Sequence, residues 1–232
     1  MRAVYRQHMS RKWHMLPGFG PIGCPWVALV VLRGQRLSLL AVTGAYRTSA
    51  TDGLPVIAGI LPSGLEILDL AARKSINATG SVIHHGSDII AESGREGTNR
   101  AIRLIRERTM DVWQERWNSG GSARLVYRYF PDVREKMSKR FVRLDHLSVQ
   151  LITGHGELRG KLCELRLSDD PWCPCGLGAQ FAEHILWECP ILMDARERML
   201  AGMSEDTPRP IWFGEVFRDR NNMACFLEFV DV

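Results

Sequence analysis

Three cysteines and one histidine lie close together in the stretch CPCGLGAQFAEHILWEC, residues 173 to 189. The pattern places Cys173 and Cys175 on one tight turn, with His184 and Cys189 little more than one helical turn apart. All four side chains could therefore face one ion. Thiolate and imidazole ligands suit tetrahedral zinc, and four protein ligands leave no open position for water or substrate. The sequence predicts a structural zinc site.

Two other interpretations of these residues stay open. Free cysteines are among the most buried residue types and need no metal. Zinc deaminases carry H-x-E followed by P-C-x-x-C, and here His155 and Glu157 precede the segment PWCPC at 171–175. That arrangement fits poorly, because one residue instead of two separates the thiols. It also leaves His184 and Cys189 without a role.

A second chemical feature is the basic stretch of residues 95–143. It carries thirteen basic side chains, mostly arginine, and six acidic ones, a net charge of +7 against +4 for the whole chain. The planar arginine fork suits phosphate, so this stretch either contacts nucleic acid or is a solvated surface with internal pairs such as Arg103 with Glu107. The nucleic-acid contacts predicted here are Arg100, Arg103, Arg106, Arg108, Arg116, Arg124 and Arg128.

The elements that hold these residues are expected to be helices. Apolar side chains recur at three- and four-residue spacing, which is typical of amphipathic helices. The predicted helices cover residues 35–47, 53–60, 65–76, 98–117, 141–152 and 191–203. Trp113 and Trp117 fall on the apolar stripe of the fourth helix, so we expect them to pack in the core. The predicted fold class is mostly α, with a small zinc-binding unit.

Changes in composition divide the chain into six predicted segments. The stretch 78–97 is rich in Gly, Ser, Asn and His and lacks periodicity, which indicates a flexible connection. The segments are an unassigned leader at 1–35, a helical segment at 36–77, this connection, a basic helical linker region at 98–165, the zinc-binding unit with its following helix at 166–203, and a C-terminal tail at 204–232.

The composition favours a globular chain in a reducing compartment. A chain of 232 residues with 45% hydrophobic side chains can bury a core. Its six cysteines are too few for a disulfide scaffold, so a nuclear or cytoplasmic location is expected. The longest apolar run, 26–32, is too short to span a bilayer, and no membrane partner is expected.

Three blocks of sequence resemble one known family. They are TGAYRTSATDGLPVIAGILPSGLEI at 43–67, LITGHGELRGKL at 151–162 and CPCGLGAQFAEHILWECP at 173–190. Together they are similar to the C-terminal part of reverse transcriptases from arthropod non-LTR retrotransposons, in particular type-1 elements inserted in ribosomal RNA genes. The resemblance implies that 36–77 is a thumb-like segment. It also implies that Cys173, Cys175, His184 and Cys189 form a CCHC zinc knuckle for template RNA or target DNA.

The chain departs from this family at the catalytic motif. A reverse transcriptase holds two metal ions with clustered carboxylates, including an aromatic-x-Asp-Asp turn. The one Asp-Asp pair here, Asp169-Asp170, has no aromatic residue before it. We therefore expect a nucleic-acid-binding remnant without a polymerase active site, whose partners are RNA or DNA and the missing polymerase core or another protein. The alternative is a zinc-stabilised protein-interaction module that binds no nucleic acid.

Overall fold

The computed structural model describes residues 25–211 and 213–232, and this part of the chain is mostly helical, as predicted. Residues 1–24 of the predicted leader lie outside the described residues. The α-helices are α1 Pro25–Thr43, α2 Gly53–Ala58, α3 Ser63–Thr79, α4 Arg95–Ser119, α5 Arg124–Tyr129, α6 Val133–Ser138, α7 His146–Thr153, α8 Arg159–Glu164, α9 Met193–Gly202 and α10 Arg220–Val230. Shorter turns are a π-helical turn at His184–Glu188 and 3-10 turns at Pro190–Leu192 and Phe213–Phe217. No helix in these two ranges is long and apolar enough to cross a bilayer.

A β-hairpin lies between α3 and α4. Strand β1 (Ser81–His84) pairs antiparallel with β2 (Ser87–Ile90), and His85 and Gly86 form the turn with φ of 48° and 75°. Two positive φ values are typical of a tight hairpin turn whose twist matches that of the strands. The hairpin corrects the expectation of a connection without regular structure, because strands of four residues are too short to produce a readable alternation.

The hairpin helps to enclose a small apolar core. Ala72 and Ile76 of α3 meet Ile89 of β2, and Ala101 and Ile105 come from the first half of α4. All five side chains are buried. The segment between α3 and α4 is therefore a packed part of the fold.

The second half of α4 enters a larger core. Trp113 and Trp117 are buried, as predicted, and the indole Nε1 of Trp117 donates a hydrogen bond of 2.8 Å to the carbonyl oxygen of Phe130. Phe217 packs edge-on against Phe226 of α10 with ring centroids 5.2 Å apart. This core joins α4, α5, α7, α9 and α10.

Aspartate side chains define where several helices begin. Asp132 accepts a hydrogen bond from the backbone N–H three residues on, at the start of α6, and Asp145 does the same at the start of α7. Such N-caps satisfy the N–H groups that a helix leaves without a partner. The helix predicted at 141–152 consequently begins at His146.

Candidate metal centre

A tight turn positions the first two candidate ligands. The backbone N–H of Gly176 donates to the carbonyl oxygen of Cys173 at 2.9 Å, and Gly176 has a φ of 75°, which glycine adopts without a steric penalty. The N–H of Cys173 donates to the carbonyl oxygen of Gly178 at 2.8 Å and closes the loop. The N–H of Leu177 points at the sulfur of Cys175, with a distance of 3.4 Å.

A π-helical turn positions the other two candidate ligands, His184 and Cys189. The N–H of Cys189 donates to the carbonyl oxygen of His184 at 2.7 Å, which is the five-residue bond of a π-helix. In an α-helix, side chains five residues apart point about 140° away from each other. The wider π-helical turn reduces that angle, so His184 and Cys189 can face the same point. Sequence spacing predicted that they could face one ion, but the helix type was not predicted.

The four side chains meet in one cluster. The sulfur atoms of Cys173 and Cys189 are 3.7 Å apart, and the sulfur of Cys175 is 3.2 Å from Nε2 of His184. All four donor atoms lie within 4.8 Å of one another. Two thiolates that bind one zinc ion at about 2.3 Å are separated by about 3.8 Å, so the first pair already has the required spacing. The cluster could hold a metal ion.

Burial and hydrogen bonding make the two thiols of the turn different. Burial raises the pKa of Cys173 to about 11, so this thiol is protonated at neutral pH unless a cation displaces its proton. The hydrogen bond from the N–H of Leu177 is the main cause that lowers the pKa of Cys175 to about 7. Metal ions bind the thiolate, and of the two thiols on this turn Cys175 loses its proton more readily.

Neighbouring residues support the ligands. Arg196 of α9 donates three hydrogen bonds to the π-helical turn, at 2.6 Å to the carbonyl of Leu186, 3.2 Å to that of Ile185 and 2.8 Å to that of Cys189. A carboxylate oxygen of Glu188 lies 3.5 Å from Nδ1 of His184. A carboxylate on that side of the imidazole leaves Nε2 directed at the cysteines.

The residues of the deaminase interpretation lie elsewhere. Nδ1 of His155 is 3.0 Å from the hydroxyl of Thr48, and the carboxylate of Glu157 accepts a hydrogen bond of 3.3 Å from Tyr46. Neither side chain belongs to the four-residue cluster. The arrangement therefore gives no support to a deaminase site.

Several of the predicted phosphate-binding arginines contact other residues of the chain. Arg100 is paired with Glu92, and Arg106 is paired with Glu66 at 3.1 Å. Arg116 also has an interaction within the chain. These side chains would have to exchange an internal partner before they could bind phosphate.

Arg124 and Arg128 are held in the same way. Arg124 donates to the backbone carbonyls at the end of α4, at 2.8 and 3.0 Å, and its guanidinium lies 3.8 Å from the ring centroid of Tyr127. Arg128 is paired with Glu183 and lies 3.7 Å from the ring centroid of Phe213. Glu183 immediately precedes the π-helical turn that carries His184. Arg128 therefore also links α5 to the segment that contains the candidate metal ligands.

Arg103 and Arg108 differ from the paired arginines described above in that no ion pair among the described residues holds them. Both are exposed on α4, and within residues 25–211 and 213–232 neither forms an ion pair. The internal pair that we named, Arg103 with Glu107, is not among the pairs of these residues. Asp111 instead pairs with Arg134 at 2.8 Å. Both guanidinium groups are therefore unpaired among the described residues, and the two side chains point about 140° away from each other around α4.

The segment with the four clustered side chains and the arginine-rich stretch carry opposite net charges. Residues 164–202, which contain the four clustered side chains, carry seven acidic and three basic groups, a net charge of −4. The stretch 95–143 carries +7. Positive charge is therefore concentrated on α4 and the helices after it, while the segment that carries the four clustered side chains is acidic.

Comparison with known proteins adds a relation that geometry alone does not give. The chain is 31% identical over 176 residues to the "Retrovirus-related Pol polyprotein from type-1 retrotransposable element R1" of Bradysia coprophila, which covers 74% of this chain and 17% of the relative. It is 29% identical over 182 residues to the "Retrovirus-related Pol polyprotein from type-1 retrotransposable element R1 4" of Nasonia vitripennis. This alignment covers 76% of this chain and 45% of the relative. It is also 29% identical over 205 residues to the "Putative 115 kDa protein in type-1 retrotransposable element R1DM" of Drosophila melanogaster.

These matches extend over most of this chain but over less than half of each of these relatives. The chain spans 17%, 45% and 20% of their lengths. No family model matches the chain, and no solved structure matches it.

Proposed function

Because the chain is homologous to a region of the Pol polyproteins of type-1 retrotransposable elements, we propose that it binds template RNA or target DNA through a basic helical surface. A structural zinc knuckle holds the C-terminal part of that region together. The segment 36–77 is the thumb-like part and 98–165 the basic linker. The observation that carries the proposal is the meeting of three cysteines and one histidine in a relative of Pol polyproteins.

The zinc-binding residues are Cys173, Cys175, His184 and Cys189, whose thiolate and imidazole donors are those that zinc prefers. Bound zinc supplies a cross-link between the tight turn and the π-helical turn. Four protein ligands fill a tetrahedral site, so the role is structural. We propose no catalytic residues in this chain.

The phosphate contacts are placed first on Arg103 and Arg108, since both are exposed and unpaired among the described residues. The other predicted contacts, Arg100, Arg106, Arg116, Arg124 and Arg128, are secondary because each has an interaction within the chain. A basic surface of this kind recognises the charge and shape of a nucleic acid more than its base sequence.

The salt dependence of binding tests this proposal. Affinity for single-stranded RNA and for duplex DNA is measured by fluorescence anisotropy between about 50 and 200 mM salt, where phosphate contacts give a steep linear loss. The double variant Arg103→Gln with Arg108→Gln should lower the duplex slope by about 0.9 to 1.8, since each contact contributes about 0.9 and the two side chains point in different directions around α4.

A matched control is Arg166→Gln with Arg198→Gln, which removes the same two charges from exposed positions of the acidic segment 164–202. This variant should leave the slope unchanged. An affinity that is independent of salt would remove the proposal. Equal effects of the control and of Arg103→Gln with Arg108→Gln would also contradict it.

A second candidate function is a zinc-stabilised protein-interaction module. Two apolar side chains of the metal-binding loop favour it, because Trp172 and Leu177 are 58% and 77% exposed beside an acidic surface. The partner to test is the recombinant part of an R1 Pol polyprotein that this chain does not match. Binding of that part that survives nuclease treatment and is lost in Trp172→Ser, together with salt-independent RNA affinity, would favour this function over the first.

A further inference from the structure

A cavity of about 320 Å³ lies between the end of α5, helix α6 and the 3-10 turn Phe213–Phe217. This volume is at the lower end of the range of small-ligand sites, about 300–1,000 Å³. The cavity involves neither the metal-binding cluster nor the unpaired arginines of α4. Its lining includes Phe130, Glu135, Lys136, Lys139, Glu215 and Arg218.

Lys136 is the unusual member of this lining. Only 5% of its surface is exposed, and its ammonium group forms no ion pair or side-chain hydrogen bond within the described ranges. Its nitrogen lies 5.3 Å from the ring centroid of Phe130. An ammonium with little access to water and no carboxylate partner is costly, and here its nitrogen lies next to Gly59, the C-cap of α2, where the helix end supplies only a partial negative charge. Burial, with a smaller effect of nearby Lys139, lowers the pKa of Lys136 to about 8, so most of it remains charged at neutral pH.

No carboxylate of the lining forms an ion pair with Lys136, and the three acidic side chains of the lining equal its three cations in number. Glu135 is paired with Lys139 at 2.6 Å, and Asp132 accepts the N–H of Glu135 as the N-cap of α6. Glu215 also lines the cavity, but it forms no ion pair with Lys136. Arg218, which is exposed, adds a second cation without a carboxylate partner among the described residues.

We propose that this cavity binds a phosphate group, with Lys136 as the buried counter-charge and Arg218 as a second contact. Lysine offers a compact point charge and arginine a planar fork, and both are used to bind phosphate. The aromatic face of Phe130 and the space around it leave room for more than the phosphate alone. The phosphate group is therefore either a free inorganic ion or the terminal phosphate of a strand.

The test uses the full chain and inorganic phosphate as the first probe. Titration calorimetry should show saturable binding, and phosphate should raise the melting temperature because it binds the folded state. Lys136→Met should weaken phosphate binding by about 10- to 100-fold, the effect of removing one charge-assisted hydrogen bond. The same variant should melt at an equal or higher temperature than the wild type, since it replaces an unpaired buried charge with an apolar chain of similar length.

Lys161→Met is the matched control, because Lys161 is paired with Glu164 at 2.8 Å on α8 and does not line the cavity. It should bind phosphate like the wild type. The proposal is overturned if the wild type shows no saturable binding up to about 10 mM phosphate, a concentration that would detect even a weak site. It is also overturned if folded Lys136→Met binds as well as the wild type.

A second arm distinguishes the two sources of phosphate. A short oligonucleotide with a 5′ phosphate is compared with the same strand without it. Tighter binding of the phosphorylated strand than of the unphosphorylated strand identifies a strand end as the ligand, and equal binding of the two strands identifies the free ion. Arg103→Gln with Arg108→Gln leaves this cavity intact, so inorganic phosphate should bind that variant normally even if the proposed function fails.

Discussion

At the scale of single residues, a buried polar network was hidden from sequence reasoning. Nε2 of His84 lies 2.8 Å from the hydroxyl of Thr109, which is 3.2 Å from a carboxylate oxygen of Asp69. The carboxylate is fully covered and is paired with Arg73 and, at 3.7 Å, with Arg106. The network joins β1, α3 and α4. The hairpin that places His84 beside Thr109 gave no readable pattern, so Arg106 was predicted only as a phosphate contact.

This network predicts a loss of stability in mild acid. Burial lowers the pKa of His84 to about 4, whereas an unfolded histidine has a pKa near 6.5. Since the unfolded state binds the proton more readily, the free energy of unfolding should fall as the pH decreases from about 6.5 to 4. We expect the histidine to contribute about 3 kcal/mol of this loss, measured by urea unfolding at a series of pH values.

The control for this prediction compares two histidines. His84→Gln should flatten the pH dependence, while His146→Gln, at an exposed position on α7, should preserve it. A wild-type chain whose unfolding free energy is unchanged across this pH range would contradict the buried neutral state of His84.

At the scale of elements, the π-helical turn is the part of the metal centre that depends most on its neighbours. The five-residue hydrogen bond of this turn leaves nearby carbonyl groups without a backbone donor, and Arg196 donates hydrogen bonds to them. Arg196→Met should therefore lower the free energy of unfolding by about 2–3 kcal/mol, because buried acceptors of charge-assisted hydrogen bonds lose their donor. Metal affinity should fall by about tenfold, since the turn no longer fixes His184 and Cys189.

Arg198→Met is the control on the same helix, where the side chain is exposed. A surface substitution of this kind should change stability by no more than about 0.5 kcal/mol. Urea unfolding and competition with a chromogenic zinc chelator provide the two measurements. Equal behaviour of the two variants would show that the turn does not depend on Arg196.

Sequence patterns predicted long elements better than short ones. Helix α4 was predicted at 98–117 and extends from Arg95 to Ser119, because its apolar stripe continues for several turns. The hairpin was missed because each strand has only four residues. Ligand types and spacing indicated the metal-binding cluster, but the five-residue geometry of His184–Glu188 is set by tertiary contacts such as those of Arg196 and has no sequence signal.

At the scale of the whole molecule, α4 connects two cores of different character. Its first half packs against the hairpin through Ala101 and Ile105, and its second half enters the aromatic core through Trp113 and Trp117. The segment that carries the candidate metal ligands belongs to the second core, since Ala182 and Leu186 are buried in it. Loss of the metal ion should therefore disturb the larger core first and leave the hairpin region intact.

The division of charge follows the same organisation. The basic stretch lies on the helices that join the two cores, whereas the metal-binding unit is acidic. The sequence itself concentrates the excess positive charge in residues 95–143 instead of spreading it along the chain. The sequence could not show which arginines of that patch are paired, because Arg106 and Arg128 find their partners Glu66 and Glu183 at 40 and 55 residues' separation along the chain.

The most direct test of the account is the metal content of the purified chain, followed by hydrogen exchange after removal of the metal with a chelator. We predict one zinc ion per chain, its loss in Cys175→Ser, and loss of amide protection at residues 173–202 after chelation while residues 81–105 stay protected. A chain that is free of metal and equally protected throughout would contradict the claim that zinc organises this region.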